Sequence, residues 1–508
     1  MPVRDHCHAP EPTIATTHAP EQLAPPVRPD NGHDTHVTRT ARPARTPAAV
    51  VLAPVVLSLA LGLWGLGRGG SMWRDEAVTY DMARRSLPDL WATLGHADAV
   101  HGLYYLLMHG LFALSGGTDP LLVLRLPSLL AITAAAGTVA LLGHRLAGPR
   151  AGLLSGVVFV LLPPVQRYAQ EGRSYALVCA LVVWATYLLL RAVRSGTGRA
   201  WVAYGAVALA ACAVHEFAVL ALPAHLLALP RGARAAGMRV MAGVCVCLAP
   251  LVVVSTRQTE QVAWIGGIGV SAVLGFAGVA ALGLACAAVL RRAGRREPIA
   301  PALSLLVLPP LLLLLVSLVK PLYVDRYVLY AHAGTALLVG AALDRLIRAR
   351  GRIRTGAVLA AGTAVLALLP VTLDLRTPHS RTDDVTAIAE AVRSAGRGAD
   401  GVVYLPSRRR VWSLPDPGPF RALPDLALSG TPTASHTLYG TELPASDIRA
   451  RMRAATRIVA LRDPAGRPVD RTVQEAAKRE VLAEDFVECG TRRLRGAWLT
   501  VYARPGGC

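Results

Sequence analysis

The chain has 508 residues, of which 53% are hydrophobic and only 17% are charged. This composition excludes a disordered chain and argues against a soluble enzyme, because a surface that faces water needs more charge. A net charge of +20 could suggest a nucleic-acid partner. The arginines, however, lie in clusters between apolar blocks, which is typical of the cytoplasmic loops of polytopic membrane proteins.

Residues 1–47 are rich in proline, threonine and histidine and contain no apolar run. A segment of this composition cannot bury enough apolar surface to fold alone. We therefore predict a disordered cytoplasmic tail at 1–47, followed by a transmembrane domain at 48–373.

Eleven apolar blocks fill residues 48–373, and most are long enough to cross a bilayer as a helix. If each block is one span, every arginine cluster falls on the cytoplasmic side. The apolar stretch 101–115 is short, and is either an interfacial helix or half of a hairpin with 119–132, so the prediction is about 11 to 13 transmembrane helices. The predicted spans are 48–67, 124–143, 151–166, 174–190, 200–214, 217–230, 240–256, 267–290, 299–319, 327–343 and 355–373.

Residues 374–508 have a different composition, with many charges, turn residues and short β-type runs. Strands predicted at 401–406, 457–462 and 497–504 are interspersed with helices near 382–395 and 470–482, which favours a small α/β domain. An odd number of spans places this domain outside the cytoplasm. Cys489 and Cys508 would then lie in an oxidising compartment, where a disulfide between them is possible.

Polar residues are concentrated in the segments predicted to face outwards. The first such segment, 73–80, contains the adjacent carboxylates Asp75 and Glu76. One of them could act as a general base, or the two could share a divalent cation. Alternatively, both belong to the acidic first turn of a helix, where the helix dipole favours negative charge.

The second polar segment, 166–177, lies between two predicted spans. Its two arginines suit a phosphate or a paired carboxylate, because a guanidinium group donates two parallel hydrogen bonds. The alternative is that arginines at a helix end extend towards the membrane surface. The polar residues of this segment are Arg167, Gln170, Glu171, Arg173 and Tyr175.

Three weaker signals lie on the same side. Arg326 is a cation on the face where the positive-inside rule expects few, and phosphate binding would explain it, whereas Tyr327 also fits an aromatic belt. His215 and Glu216 interrupt two apolar blocks, and Gln261 with Trp264 lies in a further outer loop. A plain turn or an interfacial anchor would account for these last two pairs.

These segments resemble the GT-C glycosyltransferases, in particular the bacterial members of glycosyltransferase family 39, which are relatives of protein O-mannosyltransferases and aminoarabinose transferases. The resemblance covers roughly residues 48–345. One departure is His101-Gly102-Leu103, where many relatives have a proline after the histidine. The matching motifs are RDEAVTY at 74–80, His101 with LYYLL at 103–107, RLPS at 125–128, RYAQEGRSYAL at 167–177, His215 and DRY at 325–327.

The resemblance implies a GT-C fold and transfer of a sugar, mannose-like or other, from a polyprenyl-phosphate donor. The acceptor would be a hydroxyl group of a protein, lipid or cell-wall glycan outside the plasma membrane, with no nucleic-acid partner. Asp75 would be the catalytic base, with Glu76 as the other candidate, and Arg173 and Arg326 would bind the phosphate. The residues predicted to bind substrate are His101, Tyr104, Tyr105, Arg167, Gln170, Glu171, Arg173, Tyr175, His215, Arg326 and Tyr327.

A polytopic transporter or a lipid-linked sugar flippase is the alternative class, since both also contain many spans and membrane-embedded charges. No internal repeat relates the two halves of the membrane region, and the polar groups gather at one face instead of the midplane. No cofactor is predicted with certainty, although a divalent metal at Asp75 and Glu76 remains an option.

Overall fold

The computed structural model of the chain describes residues 47–258 and 265–508. Residues 1–46 of the predicted cytoplasmic tail and the outer-loop pair Gln261 and Trp264 therefore lie outside the described residues. Within the described ranges the chain is mostly helical, and a small domain containing strands follows the membrane region, as predicted.

Fifteen α-helices build the described part of the membrane region. Seven of them are long and apolar enough to cross a membrane, and the bent pair of α6 and α7 makes an eighth candidate. The helices are α1 Ala48–Leu63, α2 Arg74–Arg84, α3 Leu87–His96, α4 Gly102–Leu114, α5 Pro120–Ala147, α6 Pro149–Leu161, α7 Pro163–Ala169, α8 Tyr175–Ser195, α9 Gly198–Val214, α10 Ala221–Ala228, α11 Arg234–Arg257, α12 Val270–Arg292, α13 Ile299–Val316, α14 Ala331–Ile347 and α15 Arg352–Asp374.

The predicted spans all fall on helices, but the number that passes the length test is smaller than predicted. Helix α9 and helix α14 have 17 residues each, and α10 has only 8. These three are too short to count as full spans by length and composition, which leaves seven or eight candidates among the described residues instead of 11 to 13.

Helix α4 settles the ambiguous stretch at 101–115. It has 13 residues, which corresponds to about 20 Å at about 1.5 Å per residue, whereas a bilayer core is about 30 Å thick. Residues 119–132 do not form a matching half-hairpin, because they open the continuous 28-residue helix α5. Helix α4 therefore cannot cross the membrane alone.

Small residues bring α5, α6 and α14 into close contact. A Cβ atom on Gly143 of α5 would lie 2.9 Å from the Cα atom of Gly152 on α6. A Cβ atom on Gly340 of α14 would lie 2.5 Å from the backbone nitrogen of Ser155 on α6. Neither glycine can carry a side chain without moving a helix, which is the packing that membrane helices use where backbones approach closely.

The C-terminal region contains three helices and two small sheets. A four-stranded sheet has the order β1-β4-β6-β5, in which β1 and β4 are parallel and the other pairs antiparallel, and β2 pairs with β3. Cys489 and Cys508 form a disulfide, which the sequence left open. The elements are α16 Val385–Ala395, β1 Gly401–Leu405, β2 Leu428–Gly430, β3 Thr441–Glu442, α17 Ala445–Ala454, β4 Arg457–Arg462, α18 Val473–Asp485, β5 Val487–Leu494 and β6 Ala497–Ala503.

The C-terminal domain shares a hydrophobic core with the first connection of the membrane region. Met72, just before α2, and Tyr80 of α2 belong to the same buried cluster as Ile388 of α16 and Trp412. Because this core crosses the boundary between the two regions, the C-terminal domain is held against the segment that carries Asp75.

Candidate active site

Helix α2 brings Asp75 and Glu76 into its first turn, but the two carboxylates have different surroundings. Glu76 is fully buried, whereas the side chain of Asp75 is 19% exposed. The backbone N–H of Trp73 donates to Oε2 of Glu76 over 3.4 Å. Glu76 thus takes the helix-capping role that was the alternative interpretation of this pair.

Glu76 is the centre of a buried ion cluster. Nε and Nη2 of Arg125 each donate to one carboxylate oxygen over 2.7 Å, and Nη2 of Arg68 lies 3.2 Å from Oε2. The N–H of Gly172 donates to Oε1 over 3.1 Å. Burial by itself opposes the charged form, but Arg125 and Arg68 outweigh it and lower the pKa of Glu76 to about 2. This carboxylate therefore stays ionised and ties α2 to α5 and to the loop after α7.

Asp75 lies between two guanidinium groups. Nη2 of Arg326 is 3.4 Å from Oδ2 of Asp75, and Nε of Arg74 is 3.8 Å from Oδ1. Arg326 belongs to the 3₁₀ turn Asp325–Val328, more than 240 positions along the chain. The fold thus joins the first predicted polar segment, 73–80, and Arg326 in one ion pair.

Arg173 reaches the same region from the loop between α7 and α8. Its Nη1 donates to the hydroxyl of Tyr105 over 3.2 Å and to Oγ1 of Thr79, on α2, over 3.4 Å. Tyr105 in turn donates to the carboxylate of Asp98. Burial, together with the Asp98 charge, raises the pKa of Tyr105 well above its ordinary value, so the phenol remains protonated.

An aromatic group surrounds the Arg326 side chain. The guanidinium carbon of Arg326 lies 5.3 Å from the ring centre of Tyr175, and the rings of His215 and Tyr327 are 4.9 Å apart. The ring of His101 is 5.0 Å from that of His215. Burial, then Arg173 and Arg326, lowers the pKa of His101 well below its ordinary value. His101 is therefore neutral and can exchange a hydrogen bond with the hydroxyl of Ser174, 3.2 Å away.

The other predicted site residues lie next to this group and make structural contacts. Nε2 of Gln170 donates to the carbonyls of Gly62 and Trp64, at the end of α1, over 2.8 and 2.7 Å. Tyr104 is buried within the core that α2 shares with the C-terminal domain. The guanidinium of Arg167 lies 5.9 Å from the ring centre of Tyr168.

Glu171 is buried, and its Oε2 is 3.3 Å from Nε of Arg381. Burial raises the pKa of Glu171 above its ordinary value, although Arg381 and Arg326 oppose this.

Four residues at or beside the site were missed by sequence reasoning: Arg68, Asp98, Arg381 and Asp383. The argument used for Arg326, an arginine where the positive-inside rule expects few, applies equally to Arg68 and would have found it. Asp98 lies in no motif. Arg381 and Asp383 lie beyond residue 345, where the family resemblance ends.

The shared metal site finds no support in this geometry. Both oxygens of Glu76 accept hydrogen bonds from Arg125, and Asp75 is paired with Arg326. Across 47–258 and 265–508, no group of three or more His, Cys, Asp or Glu residues is placed to hold a metal ion.

Comparisons with known proteins identify a similar family and a similar fold. Residues 102–257 match the family model described as dolichyl-phosphate-mannose-protein mannosyltransferase. The structure of ArnT from Cupriavidus metallidurans in the apo state is 14% identical, with a TM-score of 0.56, and the match covers 89% of this chain and 98% of that chain. No curated protein sequence matches significantly.

ArnT from the same organism bound to undecaprenyl phosphate is also 14% identical, with a TM-score of 0.53, and the match covers 89% of this chain and 97% of that chain. At this identity the similarity shows the fold alone. The family model and the ArnT-like fold together confirm the resemblance to the GT-C superfamily of membrane glycosyltransferases.

Proposed function

We propose that the protein transfers a sugar from a polyprenyl-phosphate donor to an acceptor hydroxyl outside the cytoplasm. The observation that carries this proposal is the group of Asp75, Arg326 and Arg173: a partly accessible carboxylate, a guanidinium paired with it, and a second guanidinium from another connection. A general base next to phosphate-binding cations is the combination that this transfer requires.

In the proposed reaction, Asp75 accepts the proton of the acceptor hydroxyl while the hydroxyl oxygen attacks the anomeric carbon of the sugar. The bond between that carbon and the phosphate oxygen breaks, and the phosphate leaves with the bonding electrons. Arg326 and Arg173 stabilise the negative charge that develops on the departing oxygen. Since Arg326 is paired with Asp75 in the structure, an incoming phosphate would draw this guanidinium away and leave the carboxylate free to act as a base.

A cavity beside Arg326 supports a lipid-linked donor. It has a volume of about 610 Å³, and the walls contributed by α12 and α13 are largely apolar, including Phe276, Leu306 and Pro310. Asp325, the residue before Arg326, lines the same cavity. An isoprenoid chain placed there would have its phosphate close to the cationic end of the site.

The ArnT structure with undecaprenyl phosphate supports a polyprenyl phosphate as the carrier. The family model described as a mannosyltransferase supports a hexose such as mannose, and the resemblance of the sequence to aminoarabinose transferases leaves a pentose open. The proposed acceptors are proteins, lipids or cell-wall glycans, and the proposed location is the plasma membrane with the site outside. The disulfide between Cys489 and Cys508 fits that orientation.

A transporter or flippase is the second candidate, and the buried histidine His225 on α10 is the observation that would favour it. Its Nε2 is 2.9 Å from Oγ1 of Thr186 and its Nδ1 is 3.1 Å from the hydroxyl of Tyr204. Both ring nitrogens thus have neutral partners, which fits a structural role better than a polar pathway. We therefore favour transfer over transport.

The proposal is tested by incubating the purified protein with a panel of labelled polyprenyl-phosphate sugars and candidate acceptors. Asp75→Asn should abolish transfer while leaving expression and donor binding largely intact, because an amide keeps the shape of the carboxylate but cannot accept the proton. Asp416→Asn removes a carboxylate from an exposed ion pair and serves as the matched control. Transfer by Asp75→Asn within a few-fold of the wild type would contradict the assignment of the base.

A further inference from the structure

The segment between α15 and α16 contacts two separate parts of the proposed site, the loop after α7 and the beginning of α2. We define residues 376–384 as the connecting segment. It follows the last membrane helix, contacts the loop that carries Glu171 and Arg173, and reaches the beginning of α2 before the C-terminal domain starts. Each of these contacts is made by a buried or half-buried charged side chain.

Two arginines fix the connecting segment to the membrane half of the site. Nη2 of Arg376 donates to Oε1 of Gln166 over 2.8 Å and to the carbonyl of Leu61 over 2.9 Å. Nη2 of Arg381 donates to the carbonyl of Arg167 over 2.9 Å, and its Nε is 3.3 Å from Glu171. The segment therefore has a fixed position relative to the loop after α7.

Asp383 connects the same segment to the beginning of α2. Its Oδ1 accepts a hydrogen bond from the backbone N–H of Arg74 over 3.2 Å, and its Oδ2 is 3.7 Å from Nη1 of Arg74. Nε of Arg74 is at the same time 3.8 Å from Oδ1 of Asp75. One guanidinium is thus shared between a buried carboxylate, Asp383, and the proposed base, Asp75.

The C-terminal domain holds Asp383 from the other side. Nε1 of Trp412 donates to Oδ2 of Asp383 over 3.1 Å, and Nε of Arg495 donates to the carbonyl of Arg381 over 2.9 Å. Gly496 has a φ of +77°, and a Cβ atom there would lie 2.5 Å from Cβ of Asp383. The turn between β5 and β6 thus packs directly against the connecting segment and leaves Asp383 little freedom to move.

From these contacts we infer that Asp383 is a positioning residue for transfer, which acts through Arg74 on Asp75. The inference rests on the proposed function. Asp383 draws the Arg74 guanidinium towards the connecting segment, which keeps it from closing fully on Asp75. Without the negative charge at 383, Arg74 is left with Asp75 as its carboxylate partner, and an arginine closed on the base hinders its approach to the acceptor hydroxyl.

The other charged or titratable groups around Asp75 do not replace this effect. Arg326 pairs with the opposite oxygen of Asp75, and Arg173 is engaged by Tyr105 and Thr79. Glu171, Tyr327 and Tyr439 lie within electrostatic range of Asp75 on other elements. Among the residues that the structure describes, Asp383 is the carboxylate that competes with Asp75 for Arg74.

The first experiment measures transfer by full-length Asp383→Asn with the donor that the wild type uses. We expect kcat to fall about 10- to 100-fold, since small displacements of catalytic groups have effects of this size, while the affinity for undecaprenyl phosphate stays within a few-fold of the wild type. Asp416→Asn, in an exposed ion pair of the C-terminal domain, should leave kcat unchanged. Wild-type kcat in Asp383→Asn would overturn the inference.

The second experiment separates positioning from a loss of folding. Adding Arg74→Gln to Asp383→Asn should recover part of the lost kcat, because no arginine then remains at position 74 to close on Asp75. A purely structural role for Asp383 predicts no recovery, and that result would overturn the inference. Asp383→Glu keeps the charge and should retain kcat within a few-fold, whereas a loss with intact folding would contradict the role of the charge.

The two proposals fail in different ways. If the wild type transfers no sugar from any donor of the panel, the proposed function fails. If the wild type is active and Asp383→Asn is equally active, only the role of Asp383 fails.

Discussion

Replacing Glu76 with glutamine would remove the negative charge from the buried cluster that joins α2 to α5. Arg125 and Arg68 would then remain buried without their carboxylate partner, since both make their ion pairs with Glu76. Removing one member of a buried ion pair typically costs about 3 to 5 kcal/mol, because the remaining charge is neither solvated nor paired. We expect the free energy of unfolding of Glu76→Gln to decrease by an amount in this range.

The pKa of Glu76 leads to a similar magnitude. Burial opposes ionisation, but Arg125 and Arg68 lower the pKa from 4.5 to about 2. At about 1.36 kcal/mol per pH unit, this difference corresponds to about 3 kcal/mol in favour of the charged, folded form. Because the pKa is lower in the folded protein, the contribution is fully present above about pH 4.5 and is lost as the pH falls towards 2.

Denaturant titration of the purified protein in detergent measures this effect, with transfer activity followed in the same samples. Glu390→Gln is the matched control, since Glu390 also pairs with an arginine but is exposed, and its loss should change stability very little. Glu76→Gln should unfold at lower denaturant while the folded fraction retains activity. Wild-type stability combined with complete loss of transfer would refute this reasoning and make Glu76 the catalytic base.

Two further predictions concern the phosphate and the orientation. Arg173→Ala and Arg326→Ala should each weaken polyprenyl-phosphate binding by roughly 1.5 to 3 kcal/mol, and the double variant should lose less than the sum of the two, whereas strict additivity would argue against a shared phosphate. Arg173→Lys should restore binding only in part, because lysine keeps the charge but not the two-pronged geometry. The orientation is tested in a protein whose unpaired native cysteines are replaced by serine. In intact cells, Ser429→Cys should react with a membrane-impermeant reagent and Arg350→Cys should not. The reverse labelling pattern would invert the topology.

Much of the helical architecture could be predicted because a long apolar block identifies a membrane span by its composition alone. The apolar block at 267–290 and the arginines that follow it identify α12 without reference to any other part of the chain. The number of full-length spans was harder to predict. Helix α10 has only 8 residues because the 3₁₀ turn Glu216–Leu220 occupies the first part of the apolar block.

The C-terminal domain shows where sequence patterns fail. Strands β1, β4 and β6 could be predicted because each is a short apolar β-type run in the sequence. Strand β5 was missed, since it is an edge strand whose side chains are mostly exposed and polar, and it carries no apolar alternation. Its pairing depends on β6 and so cannot be inferred from its own composition.

Of the proposed site, the part in the membrane region could be predicted from the sequence, whereas the part contributed by the connecting segment could not. Asp75, Arg173 and Arg326 could be recognised because charged residues next to membrane spans are uncommon on the outer face and usually have a function. Asp383 and Arg381 lie in a charged segment where such residues are common, and only the packing of the connecting segment reveals their contacts. The different surroundings of Asp75 and Glu76 also depend on Arg125, which approaches Glu76 from 49 residues away.

The central claim, that this site transfers a sugar and does not merely move a lipid, is tested most directly in proteoliposomes that contain a labelled polyprenyl-phosphate sugar. Cleavage of the sugar–phosphate bond and movement of the intact lipid across the bilayer are measured in the same sample, for the wild type and for Asp75→Asn. We predict acceptor-dependent release of polyprenyl phosphate by the wild type alone, with no difference in lipid movement between the two proteins. Movement of intact lipid that depends on the protein, without any cleavage, would contradict this prediction and identify a flippase.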